Sequence, residues 1–207
     1  MLSPIAPVGK VFRPDSGHRS FFMYDPFSLL GLERRPLLAE ERIGNAYRQL
    51  AGTLHPDQPG GDTGAFRELG EAAATLSDPS RRLRALLGNP AYSSPRIPQQ
   101  ASDLFLKVAW ILQHSDRLTE QYAAASTSLS KALLSAPVQS LFLELNATST
   151  LLQEWRTTLD KELVQLDLSW PSHDPDCVLE LADSLAYAIR WTAQLRERKL
   201  ALQGIFS

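Results

Sequence analysis

The stretch HPDQPGGD, residues 55–62, separates two segments with helical periodicity. Proline lacks an amide donor and glycine has the most backbone freedom to lose, so neither helix can continue through this stretch. The pattern therefore predicts an antiparallel helical hairpin with a polar loop at its tip. Apolar residues recur every three or four positions on both sides, at Ile43, Tyr47, Leu50 and Leu54 and then at Phe66, Leu69, Ala73 and Leu76.

Several segments around the hairpin occur at the distances found in one known family. Residues 25–32, DPFSLLGL, are similar to its short first helix, and residues 46–51, AYRQLA, run towards LHPD at 54–57. FREL at 66–69 and LSDP at 76–79 match its third helix and the exit from it. The region resembles a J-domain, the module by which DnaJ-family co-chaperones bind DnaK-type chaperones.

The resemblance implies a role for the exposed tip of the hairpin. Pro56 restricts the backbone and would hold the Asp57 carboxylate outward, where it can form a charge-assisted hydrogen bond with an arginine of the partner. The alternative is that Asp57 only caps a turn. Chaperone binding is assigned to His55, Pro56, Asp57, Tyr47, Arg48 and Arg42.

The second helix departs from the family pattern in its charge. Its outward side is usually rich in lysine and arginine, but Gly44, Asn45, Gln49 and Thr53 occupy positions that are often basic. Charges at the rim of an interface mainly speed encounter and set its salt dependence. The departure therefore leaves affinity and choice of partner open.

A short fourth helix is predicted after Ser77-Asp78-Pro79, because Asp78 can cap it and Pro79 suits its first turn. Arg81, Arg82 and Arg84 are expected to form a solvated surface of this helix, the alternative being contact with a partner.

Composition excludes several classes of protein. The chain has 207 residues, 43% of them hydrophobic, a net charge of -2 and one cysteine, Cys177. These values argue against nucleic-acid binding, a disulfide framework or a cysteine-rich zinc site, and they fit the cytoplasm. No apolar run approaches the ~18 residues of a membrane span, and no signal peptide is recognised. Translation could start at Met1 or Met23.

The predicted fold is all-α, with four regions. Residues 1–22 form a flexible arm, residues 23–88 a four-helix J-domain, residues 89–101 a proline-rich linker and residues 102–207 a three-helix bundle.

The three bundle helices follow from long seams of apolar residues. The first seam runs from Leu104 to Leu133, and the second helix is expected to begin at Pro137. The third is capped by Asp174, after a turn at residues 170–173.

A J-domain followed by a helical bundle, without a Gly/Phe-rich region or CxxC repeats, is similar to the layout of HscB-type co-chaperones. Those proteins bring an iron–sulfur scaffold protein to a dedicated DnaK-type partner. The long loop at residues 33–38 favours this reading, whereas FLKVAW at 105–110 replaces the acidic motif that opens the HscB bundle. The iron–sulfur role therefore stays open. Apolar residues outside the seams either thicken the core or bind a client, namely Phe105, Trp110, Phe142 and Trp191.

No catalytic site, cofactor or metal site is predicted. His55 and Asp57 have no serine or cysteine nucleophile beside them at a recognised spacing. The spacing of His173, Asp174, Asp176 and Cys177 fits no common metal site. Two functions remain: an accessory that activates the ATPase of another protein, and a J-like adaptor that has lost this activity.

Overall fold

The computed structural model describes residues 25–58, 60–88, 97–98 and 101–205. These residues form seven helices and no strand, which confirms the all-α prediction. The predicted arm at 1–22 and most of the predicted linker lie outside the described residues. The helices are α1 Pro26–Leu30, α2 Glu40–Leu54, α3 Thr63–Ser77, α4 Pro79–Leu86, α5 Ser102–Ala124, α6 Ser128–Leu168 and α7 Pro175–Ile205.

Helices α1 to α3 form the predicted hairpin with a short helix across it. α2 packs against α3, and α1 packs against both of them. α1 ends at Gly31, whose φ of 63° lies in the left-handed region that glycine adopts without strain. The largest fully buried side chains of residues 25–88 are Phe27, Ile43, Leu69, Leu76 and Leu83.

Arg34, in the loop between α1 and α2, joins both ends of this part of the chain. Its guanidinium donates to the Asp25 carboxylate at 2.5 Å and to the carbonyl of Leu86 at 3.0 Å. Burial raises the pKa of Asp25, but hydrogen bonds from Ser28 and Arg34 outweigh it and hold the pKa below its usual value. The resulting stabilisation is therefore lost as the pH falls through that lowered pKa.

The arginines of α4 correct one expectation from the sequence. Arg82 is only 4% exposed, because its guanidinium donates to the carbonyls of Pro36 at 2.7 Å and Leu76 at 2.5 Å. Burial lowers the pKa of Arg82, although the charges of Asp78 and Asp167 act in the opposite direction. The expected solvated surface is wrong for Arg82, which ties the α1–α2 loop to the end of α3.

Arg84 also points away from solvent, towards the C-terminal helices. It forms an ion pair with Asp183 of α7, and the two side chains are 12% and 14% exposed. α4 packs along α7 around this pair. The expected solvated surface is thus wrong for Arg84 as well, because a neighbouring helix supplies its carboxylate.

A second ionic contact joins the α1–α2 loop to the end of α6. The Asp167 carboxylate accepts from Arg35 Nη2 at 2.7 Å and from the Leu37 amide at 3.0 Å. The two halves of the chain are therefore in contact through α4 and through this loop. Whether they also fold as separate domains stays a prediction.

Helices α5, α6 and α7 pack against one another as the predicted three-helix bundle. The break between the first two lies at residues 125–127 instead of Pro137, which sits inside α6. Thr127 and Ser130 form a capping box that starts α6 nine residues before the proline. Leu129 and Leu133, assigned to the first seam, belong to α6 and are exposed.

The end of α6 and the start of α7 follow the sequence prediction. The turn lies at residues 169–174, and the Asp174 carboxylate accepts from the Asp176 amide at 3.0 Å. None of the helices in the described residues is long and apolar enough to span a membrane.

We expect Arg82→Ala to lower the free energy of unfolding by about 2–4 kcal/mol, because it empties a buried site and leaves two carbonyls without their donor. Urea denaturation measures this change. Arg67→Ala, on the exposed side of α3, is the matched control and should change stability by less than about 0.5 kcal/mol. Equal effects of the two substitutions would show that the Arg82 contacts do not stabilise the fold.

Candidate chaperone-binding site

The loop at the tip of the hairpin is closed by its own backbone. The amide of Asp62 donates to the carbonyl of Leu54 at 3.2 Å, which joins the end of α2 to the start of α3. Within the loop, the Gln58 amide donates to His55 O and the Gly61 amide to Gln58 O, both at 2.9 Å. These bonds join residues of the loop to one another and give it a defined shape.

Asp62 also starts α3. Its Oδ1 atom accepts from the amides of Gly64 at 2.7 Å and Ala65 at 3.1 Å. Two of the free donors at the helix N-terminus are thereby satisfied. Asp62 therefore both closes the loop and fixes its end to the start of α3.

His55 holds the first part of the loop through its ring. The ring packs edge-to-face on Phe66 of α3, with 5.1 Å between centroids. Its Nδ1 atom accepts from the Asp57 amide at 3.2 Å, which requires the imidazole to be unprotonated at that nitrogen. The same nitrogen lies 3.5 Å from the Asp57 carboxylate.

Asp57 presents its carboxylate to solvent. The side chain is 86% exposed, and Pro56 beside it is also exposed. Because the Asp57 amide is bound to His55 while the carboxylate is open, the backbone is fixed and the charge is accessible. This arrangement suits a charge-assisted bond to a cation on another molecule.

Helix α2 supplies the neighbouring surface. Arg42 and Arg48 are exposed, while Tyr47 is half-buried against the hydrophobic core. Arg48 donates to the Asn45 side chain at 2.6 Å, and its guanidinium lies beside Gly44, where a Cβ would be 3.4 Å from it. The six residues assigned from the sequence thus lie on α2 and on the loop at its end.

Comparison with known proteins decides what this region is. The family model described as "DnaJ domain" matches residues 25–84. These residues are a DnaJ domain.

Curated relatives match the same region. "Chaperone protein DnaJ" of Hyphomonas neptunium is 49% identical over 61 residues, which are 28% of this chain and 15% of that protein. "Protein SIS1" of Saccharomyces cerevisiae is 41% identical over 56 residues, 27% of this chain and 15% of that protein. "DnaJ homolog subfamily C member 18" of Homo sapiens is 42% identical over 60 residues, 28% of this chain and 16% of that protein.

The chain thus covers less than two thirds of the length of each of these relatives. No solved structure matches the chain. The HscB-like layout of the whole chain stays a prediction.

Outside the DnaJ domain, the four candidate client-binding residues lie in different environments. Trp191 is only 3% exposed and packs in a ring cluster with Phe105, Trp155 and Tyr187, at centroid distances of 5.1–6.1 Å. Trp191 therefore belongs to the bundle core. A large aromatic ring buried on the inner side of α7 cannot reach a client, so Trp191 is removed from the candidate client contacts.

The other three candidates remain at or near the surface. Phe105 and Phe142 are half-buried, and Trp110 is 46% exposed with its ring stacked on His114 at 4.1 Å. The sequence analysis missed Leu106, which is 65% exposed one helical turn before Trp110. The i, i+4 spacing of the two apolar residues was the available signal.

The residues weighed as metal ligands have local contacts. His173 Nε2 lies 2.8 Å from Ser169 Oγ and 3.1 Å from Leu166 O, across the turn between α6 and α7. Asp174 accepts from the Asp176 amide, and Cys177 is exposed. Their hydrogen bonds give His173 and Asp174 a part in forming the turn.

Two glycines of the DnaJ domain allow a matched test of its backbone. A Cβ at Gly52 in α2 or at Gly31 after α1 would meet no atom within 4 Å, but only Gly31 has a positive φ. We expect Gly52→Ala to stabilise the protein by about 0.5–1 kcal/mol, through the higher helix propensity of alanine. Gly31→Ala should destabilise it by about 1 kcal/mol, because alanine is strained at that φ.

Thermal and urea denaturation of the two variants measure these changes. Changes of the same sign would show that the conformation at Gly31 does not set the end of α1.

Proposed function

We propose that this protein is a co-chaperone that binds a DnaK-type chaperone and stimulates its ATP hydrolysis, without an active site of its own. The DnaJ domain at residues 25–84 supports the proposal. The observation that carries it is the Asp57 carboxylate, 86% exposed on a loop whose backbone is closed by hydrogen bonds. The three relatives named above match only 27–28% of this chain, so the proposed activity rests on the geometry of its own loop.

The proposed mechanism is recognition of the partner by two neighbouring elements. The fixed carboxylate of Asp57 binds a cation of the chaperone, and such bonds are roughly twice as strong as those between neutral groups. Arg42 and Arg48 offer positive charge along α2, which favours an acidic surface on the partner. His55 and Pro56 act by holding the loop, and the half-buried Tyr47 contributes the edge of its ring.

The ionic surface on α2 is small. Only two arginines are exposed there, beside the neutral side chains of Asn45 and Gln49. Few charges mean weak long-range attraction and a weak dependence of binding on salt. The proposal therefore assigns docking, with a modest salt dependence, to α2 and the stimulation of hydrolysis to the loop.

Asp57→Asn tests this function. We expect the variant to lose most of the stimulation of a DnaK-type ATPase, because the amide has nearly the same shape but no charge. Its melting temperature should not change, since the side chain is exposed. Single-turnover ATP hydrolysis and a thermal melt measure both properties.

Asp103→Asn is the matched control, because Asp103 is an exposed carboxylate on α5. A wild-type protein that does not stimulate hydrolysis would favour the alternative, a J-like adaptor. Stimulation by wild type that Asp57→Asn retains would remove Asp57 from the mechanism.

We further propose that the bundle binds the client, at the exposed pair Leu106 and Trp110. Large apolar side chains exposed side by side on a helix are typical of protein-binding surfaces. An iron–sulfur scaffold protein is the client suggested by the order of the two halves and by the long α1–α2 loop. A cytoplasmic location, in agreement with the single cysteine, is part of this proposal.

We expect Trp110→Ser to weaken binding of the iron–sulfur scaffold protein from the same organism by roughly 10- to 30-fold, as for an aromatic residue central to an interface. Calorimetric titration of the full chain measures the affinity. Leu200→Ser is the matched control, because Leu200 is 62% exposed on α7. If wild type does not bind the scaffold protein, the iron–sulfur client is excluded while the co-chaperone activity is unaffected.

A further inference from the structure

Gly61 lies where the returning part of the loop crosses the backbone of His55. A Cβ added to Gly61 would overlap the carbonyl oxygen of His55, and it would lie 2.7 Å from the carbonyl carbon and 3.0 Å from the Cα atom of Pro56. Every one of these neighbours is a backbone atom. No change of side-chain rotamer can therefore make room, and any larger residue must move the loop itself.

Gly60 and Gly61 are required for different physical reasons. Gly60 has a φ of 87°, but a Cβ there would meet nothing within 4 Å. Gly61 is not among the glycines with positive φ, so other residues could adopt its conformation. Glycine is required at residue 61 only because the backbone of residues 55 and 56 leaves no space for a side chain.

The residues that meet at this crossing, His55 and Gly61, also take part in the hydrogen bonds that shape the loop. The carbonyl of His55, which a Cβ would overlap, accepts from the Gln58 amide, and the Gln58 carbonyl accepts from Gly61. Asp57 lies between these residues, with its amide bound to the His55 ring. Moving Gly61 away from His55 would therefore change the turn that presents the Asp57 carboxylate.

We propose that Gly61 is a positioning residue for Asp57, and that the missing side chain at residue 61 sets the direction of the Asp57 carboxylate. This inference rests on the proposed co-chaperone function. Gly61 does not contact the partner in this mechanism. It acts through the backbone of His55 and Pro56, while the arginines of α2 keep their own places on the helix.

The proposal predicts different effects on two quantities, the concentration that gives half-maximal stimulation and the rate of hydrolysis at saturation. Arg42 and Arg48 lie on the body of α2, so binding through that helix should survive a change in the loop. The rate of hydrolysis at saturation should fall, because the carboxylate no longer meets its cation. Misplacement by about 1 Å is enough to reduce rates on the order of a hundredfold in positioned reactions.

The experiment compares Gly61→Ala with Gly70→Ala in the full-length chain. Gly70 lies in α3 of the same hairpin, and a Cβ there meets nothing within 4 Å. We expect Gly61→Ala to lower the maximal stimulation of a DnaK-type ATPase by at least about tenfold. The half-saturating concentration should change by less than about threefold, and Gly70→Ala should match wild type in both.

Nuclear magnetic resonance provides a readout that does not depend on the chaperone. The nuclear Overhauser contacts between the rings of His55 and Phe66 should be present in wild type and Gly70→Ala and be lost or weakened in Gly61→Ala. The contacts within α2 and α3 should persist in all three proteins. This pattern separates a moved loop from an unfolded domain.

Each outcome bears on one of the two proposals. If wild type does not stimulate hydrolysis, the co-chaperone function fails, and the ring contacts alone then test the position of the loop. If wild type stimulates and Gly61→Ala stimulates equally, Gly61 is not a positioning residue. Unchanged ring contacts in Gly61→Ala would overturn the inference in the same way.

Discussion

The packing of α4 against α7 is the constraint on which the rest of the structure depends. α4 follows α3 directly, so it belongs to the DnaJ domain, and it also forms a largely buried ion pair with α7 through Arg84 and Asp183. Arg82 on the same helix is buried and donates to the carbonyl of Pro36 in the α1–α2 loop. The guanidinium groups of Arg82 and Arg84 both meet oxygen acceptors, so the cost of withdrawing them from water is offset by hydrogen bonds. One short helix thereby connects the hairpin, the α1–α2 loop and the bundle.

The contact of α4 with α7 and the loop that carries Asp57 lie at opposite ends of α3. α3 has 15 residues and begins beside the loop, while its last residue, Ser77, precedes α4. A helix of that length spans roughly 22 Å. The bundle can therefore hold the DnaJ domain without covering Asp57. A chaperone bound at the loop and α2 would also meet a bundle in a defined position.

Local chemistry was predictable from the sequence, and long-range packing was not. The loop between α2 and α3 and the cap at Asp78 follow from proline, glycine and aspartate at fixed offsets, and the structure confirms them. The burial of Arg82 depends on the carbonyl of Pro36, which is 46 residues away and has no sequence signature. The sequence predicts a helix start at Pro137, whereas α6 begins at Ser128, behind a capping box in which Ser130 stands where glutamate or glutamine is usual. The requirement for Gly61 is a backbone crossing, visible only in three dimensions.

The distance between α3 and α7 tests most directly whether the DnaJ domain is held on the bundle. Cys177 is the single cysteine of the chain and is exposed, so it accepts one spin label, and Glu71→Cys on the exposed side of α3 accepts the second. Pulsed electron resonance then measures the distribution of distances between the two labels. The account predicts one narrow distribution, which broadens when Arg84→Met removes the ion pair with Asp183. A broad distribution in the otherwise unchanged chain would contradict it.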